Sequence, residues 1–464
     1  MATICVMGGG PAGSTFAARM AQLGHEVSLV EAARFPRAHL GESLSPGVLP
    51  LLEVTGARKD VECAGFTPVR NVHVKWDGEA VVREDPREQG LLVDRGHFDQ
   101  LLLMRAQALG VHVRQPARVM KYARIGQRWD LEVKTANAVE TISTDFIADA
   151  TGRSSQNNRS RVRTGCRTVA LYGYWRGAAI PREPRIEAGA DEWYWGVRLP
   201  DGTYNTLVFV AVNHFRTARR ATLHERFLEL LGKSGIMTGM RGHKLIGPVR
   251  TCDATPWLDE ECVTSNSIRV GDAALAIDPI SSSGVQKAIQ TALSAAIVAN
   301  TLLHRPESAD AAMRFYKSSL REASEHHRRW AAAHYGTVAA RMKGKFWQDR
   351  AAGSLEPQDP GLPRVDIDPR TLLAKRVVLS RQLGFVEASC LEGDFVTVKS
   401  AMRHPNLESP VAWVGPHEIA ALLKRVKGPS TILELAASWS DSISLESGIS
   451  VAGWLFRKGI LLEE

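Results

Sequence analysis

Cysteine is scarce in this 464-residue chain: six are scattered along it, with no CxxC pair. That excludes a disulfide-stapled secreted module and suggests neither a metal ribbon nor a redox dithiol. Cys5, Cys63, Cys166, Cys252, Cys262 and Cys390 are read as small buried hydrophobes. Long apolar runs are missing too. None approaches the roughly 20 residues that cross a bilayer, and the apolar N-terminal stretch lacks a basic leader and carries glycines unsuited to a signal segment. The expected location is the cytoplasm, with no membrane partner. Charged residues make up 23% of the chain, close to the ordinary share of about 25%, which argues against a disordered chain. What remains is a globular protein of roughly two to four domains at about 100–200 residues each.

Acidic residues are outnumbered: 50 Asp plus Glu face 58 Lys plus Arg, a formal charge of +8. Such an excess suits nucleic acid, an anionic membrane surface or an acidic partner, and composition does not choose among them.

Residues 2–7 form a short apolar run ending in Gly8-Gly9-Gly10-Pro11-Ala12-Gly13-Ser14, after which Phe16, Ala17, Met20, Ala21 and Leu23 recur at helical spacing. The pattern reads strand, glycine turn, helix. Gly8 permits the tight turn, Gly10 lets the backbone approach a pyrophosphate, and Gly13 lets helix and strand pack closely; Pro11, Ala12 and Ser14 sit in the same turn, with the helix N-terminus facing the phosphates. A second strand at 26–30 ends in Glu31, where an acidic residue would bind the adenosine ribose hydroxyls.

Two later segments extend the pattern. Asp149-Ala150-Thr151-Gly152-Arg153 closes an extended run, and residues 267–270 lead into Gly271-Asp272-Ala273 and then Asp278-Pro279-Ile280-Ser281-Ser282-Ser283-Gly284-Val285, which opens a helix. The three segments, in this order over about the first 340 residues, resemble the flavoprotein aromatic hydroxylases and the related flavin-dependent halogenases. The resemblance implies FAD, with Asp272 near the ribityl chain and residues 279–284 beside the isoalloxazine ring. Backbone donors at Gly284 and Val285 would face the flavin N1/C2 carbonyl region, where reduced flavin carries negative charge. Phe35-Pro36-Arg37-Ala38-His39-Leu40-Gly41-Glu42-Ser43-Leu44 resembles the halogenase-branch segment that runs past the flavin, and Val93-Asp94-Arg95 the stretch whose arginine contacts the cofactor. Arg37, Glu42, Ser43 and Arg95 are therefore carried over as cofactor-binding residues.

Two chemistries fit this family. Halogenases hold hypohalous acid on a lysine, which phenol- and pyrrole-type enzymes place in Gly-Phe-x-x-Lys. Here Gly65-Phe66-Thr67-Pro68-Val69 puts a valine there, and a valine offers no hydrogen bond. Lys75 substitutes only if strand alternation runs unbroken and keeps it on the face of Val69. Residues 193–200 approach a second halogenase signature, Trp-x-Trp-x-Ile-Pro, but the proline comes two residues late, and an aromatic-rich strand is the plainer reading. The balance favours hydroxylation. NAD(P)H, directly or through a flavin reductase, would reduce FAD, O2 would add at C4a, and the hydroperoxide would attack an electron-rich ring while the protein excludes water and orients the substrate. Pro279 beside the ring and His73 on a nearby strand are the expected catalytic residues.

The expected fold is α/β. A Rossmann-like FAD-binding domain (1–67, 90–118, 142–166 and 250–345) would carry an inserted β-sheet substrate domain (68–89, 119–141 and 167–249). A linker at 353–369 would lead to a small, winged-helix-like C-terminal domain (370–464) with helices at 418–426, 433–439 and 445–457. The arginines between 153 and 167, and Arg216, Arg219 and Arg220, suggest a docking surface for a small acidic polypeptide. The flavin motifs leave no role for nucleic acid. A halogenase-like chain without the lysine, with arginine clusters and an extra module, resembles the flavoprotein monooxygenases of tryptophylquinone biogenesis. That implies hydroxylation of a tryptophan within a small polypeptide. The alternatives are a halogenase of an aromatic or carrier-bound substrate acting through Lys75, and a non-catalytic, flavin-bearing peptide-binding assembly factor.

Overall fold

The computed structural model describes residues 1–84, 90–155, 159–178, 180–213, 222–352 and 373–464; the expected linker and Arg216, Arg219 and Arg220 lie outside them. Described residues within 1–309 and 316–354 form one compact unit, and those within 310–315 and 373–464 a second.

The strand Thr3–Met7 is central to a six-stranded sheet in the order Val263–Thr264, Ser267–Arg269, Phe146–Asp149, Thr3–Met7, Glu26–Val30, His112–Arg114. Neighbours run parallel except for the antiparallel pair at the 263–264 edge. Cys5, Val6 and Ala148 are fully buried, as expected where both faces of a parallel sheet are covered. The helices Pro11–Gln22, Arg95–Ala108 and Gly284–His304 pack together on one side. The other side carries a separate three-stranded antiparallel sheet, Arg118–Ile125, Arg128–Lys134 and Val139–Thr144. Leu131 and Val133 pack there against Cys5, Met7, Val30 and Ile147. This corrects the expectation that residues 119–141 join the substrate sheet: their alternation shows that one face is buried, but not against what.

The second large layer is a seven-stranded sheet in the order Lys244–Asp253, Thr168–Arg176, Tyr204–Ala211, Glu192–Arg198, Arg185–Ala188, Asn71–Lys75, Val81–Glu84. It is antiparallel apart from the parallel pairing of 185–187 with 73–75. Alternation divides its side chains. Leu171, Trp175, Tyr194, Val208 and Val210 pack with Phe227, Leu230 and Leu231 of the helix Leu223–Leu231, whose Thr222 and Glu225 form a reciprocal capping box. On the opposite face Val74, Ala170, Trp193, Leu207 and Phe209 meet Tyr335 and Trp347 from the helices Ala309–Ala339 and Lys345–Ala351.

The second unit has its own core, including Val377, Met402, Trp439 and Leu455. A three-stranded sheet (Ser430–Thr431, Arg376–Leu379, Leu461–Glu463) and a hairpin (Gly384–Glu392, Phe395–Arg403) accompany the helices Ile419–Leu423, Ile432–Ala437 and Leu445–Arg457. Apolar spacing anticipates these helices, the first of them shorter than expected; the hairpin it does not. Among the described residues no helix is long and apolar enough to cross a membrane. The six cysteines are free; Cys5 and Cys262 are buried, whereas Cys63 is exposed, contrary to expectation.

Candidate active site

The glycine turn is dictated by backbone contact. At Gly8 φ is +104° and a Cβ would lie 2.5 Å from Ala150 O. At Gly13 a Cβ would lie 1.9 Å from Gly8 O, so any side chain would push the helix off the strand. Gly10 is the extended N-cap of Pro11–Gln22, without a side-chain cap and with Pro11 in the first turn. The first-turn N–H groups at Ala12 and Gly13 belong to an end with positive partial charge. Ser14 Oγ donates to Gly9 O at 2.9 Å, and Ala12 abuts Gly271, where a Cβ would lie 2.6 Å from the alanine methyl.

A line of charges starts at this turn. Glu31 accepts from Gly9 N at 2.6 Å and Ala33 N at 2.7 Å, and its carboxylate is 4.0 Å from Arg37 Nε. Arg37 Nη2 is 3.4 Å from Asp99, which receives Arg95 Nε and Nη2 at 3.0 and 3.2 Å. Arg95 Nη1 donates to Leu40 O and Gly41 O at 2.8 and 3.2 Å. Arg95 is thus occupied within the protein and positions the 40–41 backbone, instead of presenting the free fork expected of a cofactor contact. Glu42, buried in the same segment, accepts from Tyr174 OH at 2.8 Å, Asn205 Nδ2 at 3.1 Å and Gly41 N at 2.9 Å. Burial raises its pKa despite these donors. Ser43 begins the short strand Ser43–Leu44, paired with Leu91–Leu92.

Asp272 follows Gly271 in a short turn beside Ala12. Its Oδ1 receives Lys287 Nζ at 2.6 Å, and its Oδ2 faces Arg153 Nε at 3.3 Å. Burial alone would raise its pKa, but the two cations outweigh burial and hold it below the usual carboxylate range. Lys287 also donates to Leu275 O, and burial lowers its pKa against the opposing pull of Asp272. Lys287 is absent from the sequence-derived residues. Its signal is a cation in the first turn of Gly284–His304, where the helix dipole opposes it, among buried Val285, Ile289 and Ala292. Asp278 caps the Pro279–Ser281 turn through Ile280 N at 3.0 Å and accepts from Tyr335 OH at 2.9 Å; burial raises its pKa. Ser282 is left-handed (φ 50°). At Gly284 no atom lies within 4 Å of a would-be Cβ, so the helix begins in open space.

Leu40 and Ile280 pack on the same cluster as half-buried Tyr172, Ile186, Trp195 and Cys252 of the seven-stranded sheet. His73 and Lys75 do not join them. On their strand Val72 and Val74 take that face, while Lys75 Nζ pairs with Glu187 at 2.9 Å and His73 lies 3.9 Å from Glu183. Glu187 further accepts from Ser234 Oγ, Gly235 N at 2.9 Å and Ile236 N at 3.1 Å. The catalytic expectation for His73 is therefore corrected: alternation turns it away from the Pro279 loop. The condition for Lys75 to replace Val69 also fails. Val69 follows Thr67–Pro68, a strand of a different sheet, and the chain changes sheets before Asn71.

The family model for tryptophan halogenase matches residues 3–68 and 83–360. Tryptophan 2-halogenase of Chondromyces crocatus is 33% identical over 367 residues, covering 74% of this chain and 69% of that protein. A flavin-dependent halogenase, armH4 of Armillaria mellea, is 30% identical over 384 residues, covering 72% and 69%. Among solved structures, the peptidyl tryptophan dihydroxylase QhpG, essential for tryptophylquinone cofactor biogenesis, superposes over 99% of both chains with a TM-score of 0.78 at 26% identity. The flavin-dependent halogenase CmlS shares the fold over 99% of this chain and 95% of its own, with a TM-score of 0.79 at 20% identity. Fold, motif order and sequence agree that this chain belongs to the tryptophan halogenase family of flavin-dependent enzymes.

Proposed function

We propose that this chain is an FAD-dependent monooxygenase that hydroxylates a tryptophan ring in a small acidic polypeptide, as one step of making a tryptophylquinone. The observation that carries this reading is the placement of Lys75: it is spent on Glu187, on the sheet face away from the Pro279 loop, and Val69 holds the position where a halogenating lysine would stand. The likeness to a peptidyl tryptophan dihydroxylase over 99% of both chains supports the choice of substrate.

The residues fit FAD. A backbone cradle that Cβ atoms at Gly8 and Gly13 would fill, and the uncapped N-terminus at Gly10, suit a pyrophosphate between two nucleotide halves. Gly8, Gly10, Pro11, Ala12, Gly13 and Ser14 would surround it, with Arg37 at the edge, Glu31 on the adenosine ribose and Asp272 on the ribityl chain. Pro279, Gly284 and Val285 would border the ring system, while Arg95, Glu42 and Ser43 hold the 40–44 segment in place. Bound flavin, reduced by NAD(P)H directly or through a reductase, would supply the electrons that activate O2. The protein's part is orientation and exclusion of water. Leu40, Ile280, Tyr172, Ile186 and Trp195, half-buried on one cluster, would supply an apolar and aromatic surround suited to an indole face. Asp272, kept ionised by Lys287 and Arg153, offers its remaining lone pairs as acceptors.

The test is mass analysis of a tryptophan-containing acidic peptide incubated with FAD-loaded protein, reductant and oxygen. Oxygen should be added with or without halide, and Lys75→Ala should keep this activity. Halide-dependent incorporation that Lys75→Ala abolishes would replace the reading with halogenation, and protein that takes up no FAD would overturn both.

A further inference from the structure

Four of the arginines between 153 and 167 divide into two sets. Arg153 is paired with Asp272, and Arg161 stacks on Trp257 at 3.7 Å while donating to Arg153 O at 3.1 Å and Gly152 O at 3.4 Å. These two hold the fold together. Arg163 and Arg167 are exposed and, among the described residues, meet no carboxylate at ion-pair distance. Arg167 also lines a cavity of about 320 Å³, together with Val169, Val212, Thr251, Cys252, Asp253 and Thr255. Asp253 is the one carboxylate among its described lining residues. It accepts from Thr255 N at 2.9 Å and its nearest ion-pair contact is Arg153 at 4.0 Å, not Arg167. Cys252 belongs both to this cavity and to the apolar face of Tyr172, Trp195 and Ile280. A chain seated in the cavity therefore lies next to the reaction face.

We propose that this cavity is a docking subsite for an acidic residue of the polypeptide substrate, whose carboxylate pairs with Arg167 and whose neighbouring tryptophan passes Cys252 to lie against Tyr172 and Trp195. This rests on the polypeptide-hydroxylase reading and adds the feature of the substrate that is recognised. Arg163, on the strand Arg161–Arg163 that pairs with Trp257–Asp259, adds positive potential from one side.

The experiment uses two dye-labelled peptides with a central tryptophan, one flanked by Glu and the other by Gln, and anisotropy titration of FAD-loaded full-length protein. The Glu peptide should bind about fivefold more tightly, the scale of one solvent-facing ion pair. The gap should narrow in high salt. It should close in Arg167→Gln and persist in Arg118→Gln, an exposed arginine on a separate sheet. Thr251→Trp, which fills the cavity, should weaken both peptides. Equal binding of the two peptides, a gap that survives Arg167→Gln, or full binding by Thr251→Trp would each overturn the subsite. Mass analysis of the same peptides separates the two ideas: Arg167-dependent binding without added oxygen sinks the hydroxylase reading and keeps the subsite. Oxygen added equally to both peptides keeps the reading and sinks the subsite.

Discussion

The two faces of the seven-stranded sheet are made from the same strands yet have different roles. One is closed: Lys75 and Glu187 lock the 234–236 turn, and Tyr194 and Trp175 pack beneath the helix Leu223–Leu231. The other is partly open: Tyr172, Ile186 and Trp195 are half-buried and share a cluster with Leu40 and Ile280. Adjacent residues such as Tyr194 and Trp195 fall on opposite sides because successive side chains alternate across a strand. Glu187 on the closed face accepts from Ser234, Gly235 and Ile236, whereas Tyr172 and Trp195 on the other face keep part of their surface exposed.

Three substitutions probe this contrast. Glu187→Ala should have the largest effect, a loss of about 3 kcal/mol, because it leaves a lysine, a hydroxyl and two backbone N–H groups without their acceptor. Chemical denaturation measures it; a loss near zero would mean that the closed face is not held by this cluster. Trp195→Ala should lower stability less than Glu187→Ala, because the indole is only half-buried, while lowering turnover by about a hundredfold, the scale of a misplaced reacting group. Unchanged turnover would remove the open face from the site. The smallest effect concerns pH. Burial pushes the Glu187 pKa up, but Lys75, Ser234 and two backbone donors more than offset it and hold it below its ordinary value. The folded state thus binds that proton less readily than the unfolded one. Its stabilisation is complete above about pH 4.3 and disappears as pH falls through the lower folded value. Stability curves from acid to neutral pH should be flatter in Glu187→Gln in this window, and parallel curves would show that the carboxylate is not the titrating group.

Legibility from sequence followed how local each requirement is. Gly8 and Gly13 were readable because contacts within a single strand–turn–helix unit demand glycine there. The place of Glu31 beside the glycine turn was readable because it directly follows the next strand of the same sheet. The C-terminal helices showed through apolar spacing, but the hairpin at 384–403 did not. Where His73 and Lys75 point was not readable, because it depends on which strands pair with theirs and which side faces Ile280. Arg161 and Arg167 look alike in sequence. Only the stack on Trp257 and the cavity beside Cys252 separate a structural cation from an available one.

Residue order over short stretches is enough to set the strand–glycine turn–helix, the acidic residue after the second strand, the ordered flavin motifs and the valine at the halogenase lysine position. Each is set by backbone sterics or by residue identity over a few neighbouring positions. Long-range packing instead sets the turn of Lys75 away from the Pro279 loop, the covering of the parallel sheet by residues 118–144, and the convergence of Lys287 and Arg153 on Asp272. Those outcomes depend on register and on which surfaces meet, and residues far apart in the chain contribute to each of them.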